Sequence, residues 1–577
     1  MEIAGSNPVG SATSLPPRPV PRPDGAFFLR VTIEPVKRTP LAVVIGLVAV
    51  ALAATFASGT YFPRTLGSPG TSPSPSKQAS GAPESPGASA SASASPVGPS
   101  PSPSRIPAGA ANVPIVPVVD FRSTLTGLQL SDVRSVLSGA STRFSTLELV
   151  TGDANGILAA LQLARPSDAT RLTLVRDVAT LATDLAKDSK RLAFLRASQV
   201  DPRVRALGWT GRQLFGVHRV RKTSSWPLTA RLSADTHPFD ASTTWTVAAG
   251  GDILLDRGVY KQVEVLGKGV DFPFAGGTAE ITGHSCCSIF GLPFPTTRRT
   301  GNPGAVRDLL RSADLALANF ENPAPNSFTY HTQGTVFSAD PRLIAGVRNA
   351  GIDYVSIANN HIGDAGRAGI LQTISNLDRF GLKHSGAGAT AAAAHKAAYM
   401  RVGGVTVAVL AYDTIAKYYA AGPSTPGSAQ LTVAAVRADV AAARRAGAKV
   451  VIVYPHWGTE YDPTPFPGQQ ALARAVIDAG ADMVIGNHAH WVGAMEIYRG
   501  HPIWYALGNF VFDQTWSEPT MEGMLLELTF RGSTLVQVRL HPTIILDAAQ
   551  PNFLDPAGDG RVVLGQLYDA SRRLLPW

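Results

Sequence analysis

Six short apolar runs in the second half of the chain each end on a polar side chain that can bind a metal ion. Thr246-Val-Ala-Ala leads into Gly250-Gly251-Asp252, and Asp314-Leu-Ala-Leu-Ala into Asn319-Phe320-Glu321. Tyr354-Val-Ser-Ile-Ala leads into Asn359-Asn360-His361, and Val450-Val-Ile-Val-Tyr-Pro into His456-Trp457-Gly458. Asp482-Met-Val-Ile-Gly leads into Asn487-His488-Ala489-His490, and Ile503-Trp-Tyr-Ala-Leu into Gly508-Asn509-Phe510. Buried strands that deliver polar groups at their C-terminal ends build one crevice, the place where α/β sheets bind ligands. Between the runs lie Ala-rich helical stretches, at Gly363 to Phe380, Val433 to Ala446 and Gly468 to Ala479. That alternation is the rhythm of a layered α/β domain.

A chain of 577 residues exceeds one core, so several folded units with connectors are expected. The only cysteines, Cys286 and Cys287, are adjacent and cannot cross-link a framework. They read as an oxidised vicinal pair or buried thiols, with a metal-binding alternative near His284. The formal charge of +9 is dispersed, and no aromatic-interleaved basic stripe or nucleic-acid module accompanies it, so nucleic acid is not an expected partner. One denser stretch, Arg203 to Lys222, reads as a solvated face or as a patch for an anionic polymer or phospholipid surface.

Residues 1–38 are Pro-rich and basic and read as a cytoplasmic tail. Residues 39–62 hold an uncharged apolar run of the length needed to cross a bilayer, about 20 residues. Basic residues precede the run and are scarce after it, which predicts a retained single-pass anchor in the cell membrane with the rest of the chain extracytoplasmic. A cleaved signal peptide is the competing reading. Residues 63–112, rich in Ser, Pro, Ala and Gly, cannot bury a core and read as a disordered linker. Residues 113–240 read as a small α/β domain that resembles part of a solute-binding protein and carries no ligand-specifying motif. The layered domain is expected over 243–545, and 546–577 as a C-terminal extension.

The polar strand ends carry the chemistry. Asp252, Glu321 and Asn360 offer oxygen ligands and His456, His488 and His490 offer imidazoles, a set suited to divalent Mn, Zn or Fe. Two ions could share it, with Glu321 bridging, and stabilise the attacking and leaving oxygens of a phosphoester. If the His488–His490 segment stays extended the two rings share one side; with a turn they diverge to two metals. His361 could protonate a leaving group while Asp364 orients its ring. Glu460, Tyr461 and Asn509 are candidate substrate contacts, Asn509 at the crevice rim. Blander readings stand beside these: Glu321 closing a strand, Asn359-Asn360 serving as turn residues, Tyr461 packing under Pro463 and Pro465.

In order along the chain, Gly251-Asp252-Ile253, Asn319-Phe320-Glu321-Asn322, Ala358-Asn359-Asn360-His361 with Asp364-Ala365-Gly366, His456-Trp457-Gly458-Thr459-Glu460-Tyr461, Gly486-Asn487-His488-Ala489-His490 and Tyr505 to Gln514 resemble the CapA family of capsule and poly-gamma-glutamate biosynthesis proteins, relatives of the calcineurin-like metallophosphoesterases. The resemblance spans about residues 245–540. It implies a four-layer αββα metallophosphoesterase-like fold and a role in making or exporting an envelope polymer. Implied partners are an anionic polymer or its precursor and other membrane proteins of capsule synthesis. Carried over from the wider pattern, Asp252 and His490 hold one metal, Asn360, His456 and His488 the second, Glu321 bridges, and His361 is the acid of a metal-dependent hydrolase. Two departures are visible. Asp252-Ile253-Leu254 lacks the imidazole of the usual Asp-x-His, with Asp256 a partial substitute, and Glu321 stands where an Asp would bridge. The missing imidazole at Leu254 favours an alternative, a non-catalytic polymer-binding or export component.

Overall fold

The strand Val450–His456 is apolar on both faces, and such a strand is stable only when both are covered. In the computed structural model, which describes residues 109–288 and 290–574, its alternate side chains enter two cores. Val450, Ile452 and Tyr454 pack against a second sheet, whereas Val451 and Val453 pack against helices. The strand Thr244–Ile253 repeats the pattern. Val247 and Ala249 join the core between the sheets, and Ala248 joins a separate helix-covered core. Period-two alternation thus stacks two sheets face to face with helices outside each, the four-layer order.

The larger sheet has ten strands. At its centre Glu522–Arg531 pairs antiparallel with Thr244–Ile253, which runs parallel to Leu315–Phe320, followed by Tyr354–Ser356 and Lys383–Ser385. The second sheet has six, with Val405–Asp413, Val450–His456, Met483–Ile485 and His501–Trp504 parallel. Helices fall where the apolar spacing puts them: Gly366–Arg379, Val433–Arg445 and Pro467–Asp478. Thr432 caps one by accepting the Ala435 N–H, and Pro467 opens another at its first turn, where a missing N–H costs nothing.

Two close approaches require glycine. A Cβ on Gly251 would lie 1.9 Å from the Gly508 carbonyl oxygen, and one on Gly486 would lie 2.2 Å from that of Tyr505. Both glycines sit at strand ends that meet the crevice.

The layered body does not stop at residue 545. Gln550–Leu554 is a strand of the larger sheet, antiparallel to Thr534–Leu546 and parallel to Thr278–Ser285, and the helix Gly560–Ala570 buries Val563, Leu564 and Leu567 on the inter-sheet core. The expected extension is therefore part of the fold. Cys286 and Cys287 are bonded to each other in a hairpin loop.

The N-terminal sheet is built on Ala110–Asp120, flanked by Arg191–Arg196 and Val204–Ala206, with Thr146–Val150 and Leu172–Val175 beyond. Its first strand begins inside the expected linker. A polar network joins the loop that follows Val204–Ala206 to the body. Arg219 donates to Asp314 at 2.7 Å and to the Thr244 hydroxyl at 2.8 Å, and Glu527 accepts the Val217 N–H at 2.8 Å. Burial raises Glu527, but the Arg539 charge and the His541 hydrogen bond outweigh it and hold this carboxyl well below its usual range.

The expected tail, membrane span and nearly all of the linker lie outside the described residues. Among the described residues, no helix is long and apolar enough to cross a membrane.

Candidate metal centre

Because the parallel strands of both sheets end at one edge, their last residues face a common point. Asp252 is the penultimate residue of one strand, Asn319 lies beside it in parallel register, and Glu321 follows the end of that second strand. His456 ends a strand of the other sheet. Asp252, Asn319, Glu321, His456, His488 and His490 are all buried.

Glu321 Oε1 is the hub. It lies 3.6 Å from His456 Nε2 and 3.7 Å from His490 Nε2. Two sets of ligand atoms close enough to hold a cation follow, Glu321, His456 and His488 on one side and Asp252, Glu321 and His490 on the other. Asn360 Oδ1, 2.7 Å from His456 Nε2, belongs to the first. His488 and His490 both have left-handed backbone, φ 93° and 56°, unusual for residues with a Cβ and typical of strained functional turns. That turn is what sends the rings apart. His488 Nδ1 meets His456 Nε2 at 3.1 Å, while His490 Nδ1 lies 3.6 Å from Asp252.

The electrostatics are those of a dry pocket. Burial pushes Asp252 up to about 6 and Glu321 well above the ordinary carboxyl range, the latter also because Asp252 lies beside it. Burial lowers His456 far below an ordinary imidazole, His488 to about 3 and His490 to about 4. Neutral imidazoles are the form that ligates metal. Glu321 Oε1 and Asn319 Oδ1 are buried without a hydrogen-bond partner, and an unpaired buried polar atom is costly. A cation between the two triads would satisfy the Glu321 oxygen, so the residues present fit divalent metal.

His361 stands beside this cluster, half-buried. Its Nδ1 is 2.8 Å from Asp364 Oδ2, which also accepts the Phe337 N–H at 2.8 Å. The Phe337 ring packs 4.2 Å from the imidazole. Tyr461, at φ 61°, turns its ring toward His490 (5.9 Å) and Trp516 (4.9 Å). Glu460 is exposed at the rim, near enough for its charge to raise Glu321.

Two expectations change. Asn509 is fully buried behind His490 rather than at the rim. Its Oδ1 is 2.9 Å from His490 Nδ1 and its amide donates to the Thr520 carbonyl, so it orients the imidazole and does not reach the opening. Asp256 is no substitute for the missing imidazole. It caps the short helix at Arg257 and accepts the Ser338 N–H and His331 Nε2, each at 2.8 Å. Leu254, where that imidazole would stand, packs with Phe337, Phe512 and Ile545.

Sequence reasoning also missed contributors. Asn319 donates to Asp252 at 2.8 Å and lies 3.3 Å from Glu321, fixing the two carboxylates relative to each other. Two residues before Glu321 along one strand, it faces the same way, a signal present in the alternation. Tyr419, whose hydroxyl lies 3.4 Å from Asp364, comes from a distant loop with no local signal.

Fold and site together define an α/β protein with a buried histidine–carboxylate cluster at the strand ends of two stacked sheets. The chain belongs to the bacterial capsule synthesis protein family PGA_cap, whose match covers residues 246–514. It is 33% identical over 257 residues to the capsule biosynthesis protein CapA of Bacillus anthracis, covering 43% of this chain and 60% of that protein. It is 34% identical over 239 residues to the PGA biosynthesis protein CapA of Bacillus subtilis, again covering 60% of the relative. A probable polyglutamine synthesis accessory protein of Mycobacterium tuberculosis is 32% identical over 328 residues, 54% of this chain and 82% of its own length. The chain thus spans less than two thirds of the Bacillus relatives. Among solved structures, a 5'-nucleotidase precursor from Thermus thermophilus aligns with a TM-score of 0.31 and 17% identity over 57% of this chain and 58% of that one, a likeness too low to bear on function.

Proposed function

We propose that this chain acts in the biosynthesis of a capsule or poly-gamma-glutamate-type envelope polymer, held at the cell membrane by residues 39–62, with its crevice as a metal-dependent hydrolase site. Support for the process comes from the family and from its named relatives in Bacillus and Mycobacterium. The observation that carries the chemistry is the shared Glu321 Oε1 between two imidazole-bearing triads.

Asp252, Glu321 and His490 would hold one divalent ion, and Glu321, His456, His488 and Asn360 a second. Such ions, when bound, supply Lewis-acid stabilisation of charge on oxygen. The chain's own residues do the rest. Asn509 and Asn319 fix the ligand side chains, and the burial of the cluster holds back bulk solvent, while one water admitted with the substrate would supply the oxygen that attacks as the leaving oxygen departs. Asp364 accepts a hydrogen bond from Nδ1–H of the doubly protonated His361 ring, and the proton on Nε2 is the one handed to a departing oxygen, which leaves the ring neutral. Tyr461 and Glu460 line the approach to the cluster.

A second reading, a polymer-binding component without catalysis, draws support from Leu254, which is packed in an apolar cluster where a ligating imidazole would otherwise stand. Hydrolysis of a generic phosphodiester by the purified chain, before and after His488→Ala, separates the two. Activity lost in the variant supports the hydrolase. Polymer binding that survives both chelator and His488→Ala, without any turnover, supports the second reading.

A further inference from the structure

The hairpin of Thr278–Ser285 and Phe294–Gly301 stands at the edge of the larger sheet and outruns it. Its inner strand pairs with Gln550–Leu554 at Thr278 and Ala279 alone. The Ile281 N–H still reaches Asp559 Oδ2, at 2.7 Å, but past that point the two strands have only each other as pairing partners among the described residues. Farther out this arm meets the body again, on one segment. His284 Nε2 lies 2.7 Å from Glu518 Oε2, and the largely exposed Phe290 ring meets Trp516 edge-on at 5.2 Å.

Residues 514–520 hold the arm on one side and bear on the metal cluster on the other. The Asn509 amide donates to Gln514 Oε1 at 3.1 Å and to the Thr520 carbonyl at 2.9 Å, and Asn509 in turn orients His490. Trp516 packs 4.9 Å from Tyr461, whose ring stacks on His490. Residues 516 and 518 thus take up the arm, while 514, 516 and 520 steady the imidazole.

At the turn of the arm Cys286 and Cys287 are exposed and bonded to each other. A bond between neighbours closes a small ring through their own peptide and leaves both residues almost no backbone freedom. Phe290 follows three residues later. Because both cysteines face solvent, a thiolate can reach the bond. We propose that Cys286–Cys287 is a reducible site whose state sets how firmly residues 514–520 cover the metal cluster, with a dithiol as its reductant. One thiolate of the dithiol attacks a cysteine sulfur, the bond between the cysteines breaks, and the departing sulfur takes up a proton. The second thiol of the dithiol loses its proton, displaces the other cysteine from the mixed disulfide, and that cysteine is protonated in turn. The reductant leaves as a disulfide and both cysteines are thiols. In the thiol form the turn regains backbone freedom, so holding Phe290 on Trp516 costs more entropy and the arm leaves the segment more often.

Hydrogen exchange of the full-length protein, read by mass spectrometry with and without dithiothreitol, tests it. Iodoacetamide should label both cysteines after the reductant and neither before. Exchange over residues 514–520 should quicken by about tenfold on reduction, the scale set by the backbone freedom regained. Cys286→Ser/Cys287→Ser should exchange at the fast rate in either condition, which separates loss of the bond from any effect of the reagent. Phe290→Ala should also be fast in both conditions while its cysteines label as in the wild type. Thiols that label without reductant, exchange over 514–520 that is equal in the two states, or the same response to dithiothreitol in the double serine variant overturns the proposal. The readout needs neither bound metal nor turnover, so it can fail while the proposed function stands, and the reverse.

Discussion

The phenol of Tyr454 donates to the carbonyl of Gly250 at 2.9 Å, across the interface between the two sheets. Tyr454 lies two residues before His456, and Gly250 two before Asp252. This bond ties the two strand ends that supply ligands from opposite sheets. Tyr454→Phe keeps the packing but leaves a buried carbonyl unpaired, at a cost of about 1–3 kcal/mol. Urea denaturation should show that loss, together with weaker metal retention than in the wild type.

Asp364→Asn keeps the shape of the loop but removes the charge that orients His361. Residues holding a functional imidazole in this way are typically worth about 10–100-fold. Steady-state assays should give a fall of that order in kcat with little change in KM, and an altered pH profile, while metal content stays at the wild-type level.

Glu522 is buried, and burial together with the nearby Glu518 pushes its carboxyl up to about 8. A carboxyl raised in the folded state contributes stability that is present below its ordinary value of 4.5 and is lost as pH rises to about 8. Glu522→Gln should therefore raise the melting temperature at pH 8 and have little effect at pH 4. Thermal melts across that window check the sign.

Glu527 has the opposite sign. Held well below its usual range, it stabilises the seam above the ordinary carboxyl value, and that stability is lost as pH falls through its lowered one. Glu527→Gln should remove a net contact between the N-terminal sheet and the body and leave Arg539 uncompensated, a loss of about 3–5 kcal/mol at neutral pH. Limited proteolysis near residue 217 should accelerate in the variant.

Much of the site was legible because its signals are local. An apolar run of period two ending on Asp, Glu or His states both a buried strand and a ligand at its end, so Asp252, Glu321, His456 and His490 could be read directly. The His361–Asp364 pair was legible for the same reason, three residues apart at a helix start. What escaped depends on distant packing. That Asn509 lies behind His490, that Asp256 is captured by Ser338 and His331, and that Gln550–Leu554 joins the larger sheet are all set by contacts between residues far apart in sequence. The basic stretch illustrates the limit from the other side: composition marked Arg203 to Lys222, but only the fold pairs Arg203 with Asp201, and Arg219 and Arg221 with Asp314.

The central claim is that Glu321 serves two cation sites at once. Metal content of the purified chain, measured by mass spectrometry after dialysis against Mn or Zn, tests this most directly in the wild type, His488→Ala and Glu321→Gln. The expected contents are about two ions per chain, about one and close to none. Equal contents in all three proteins, or a Glu321→Gln variant that keeps as much metal as the wild type, would contradict the account.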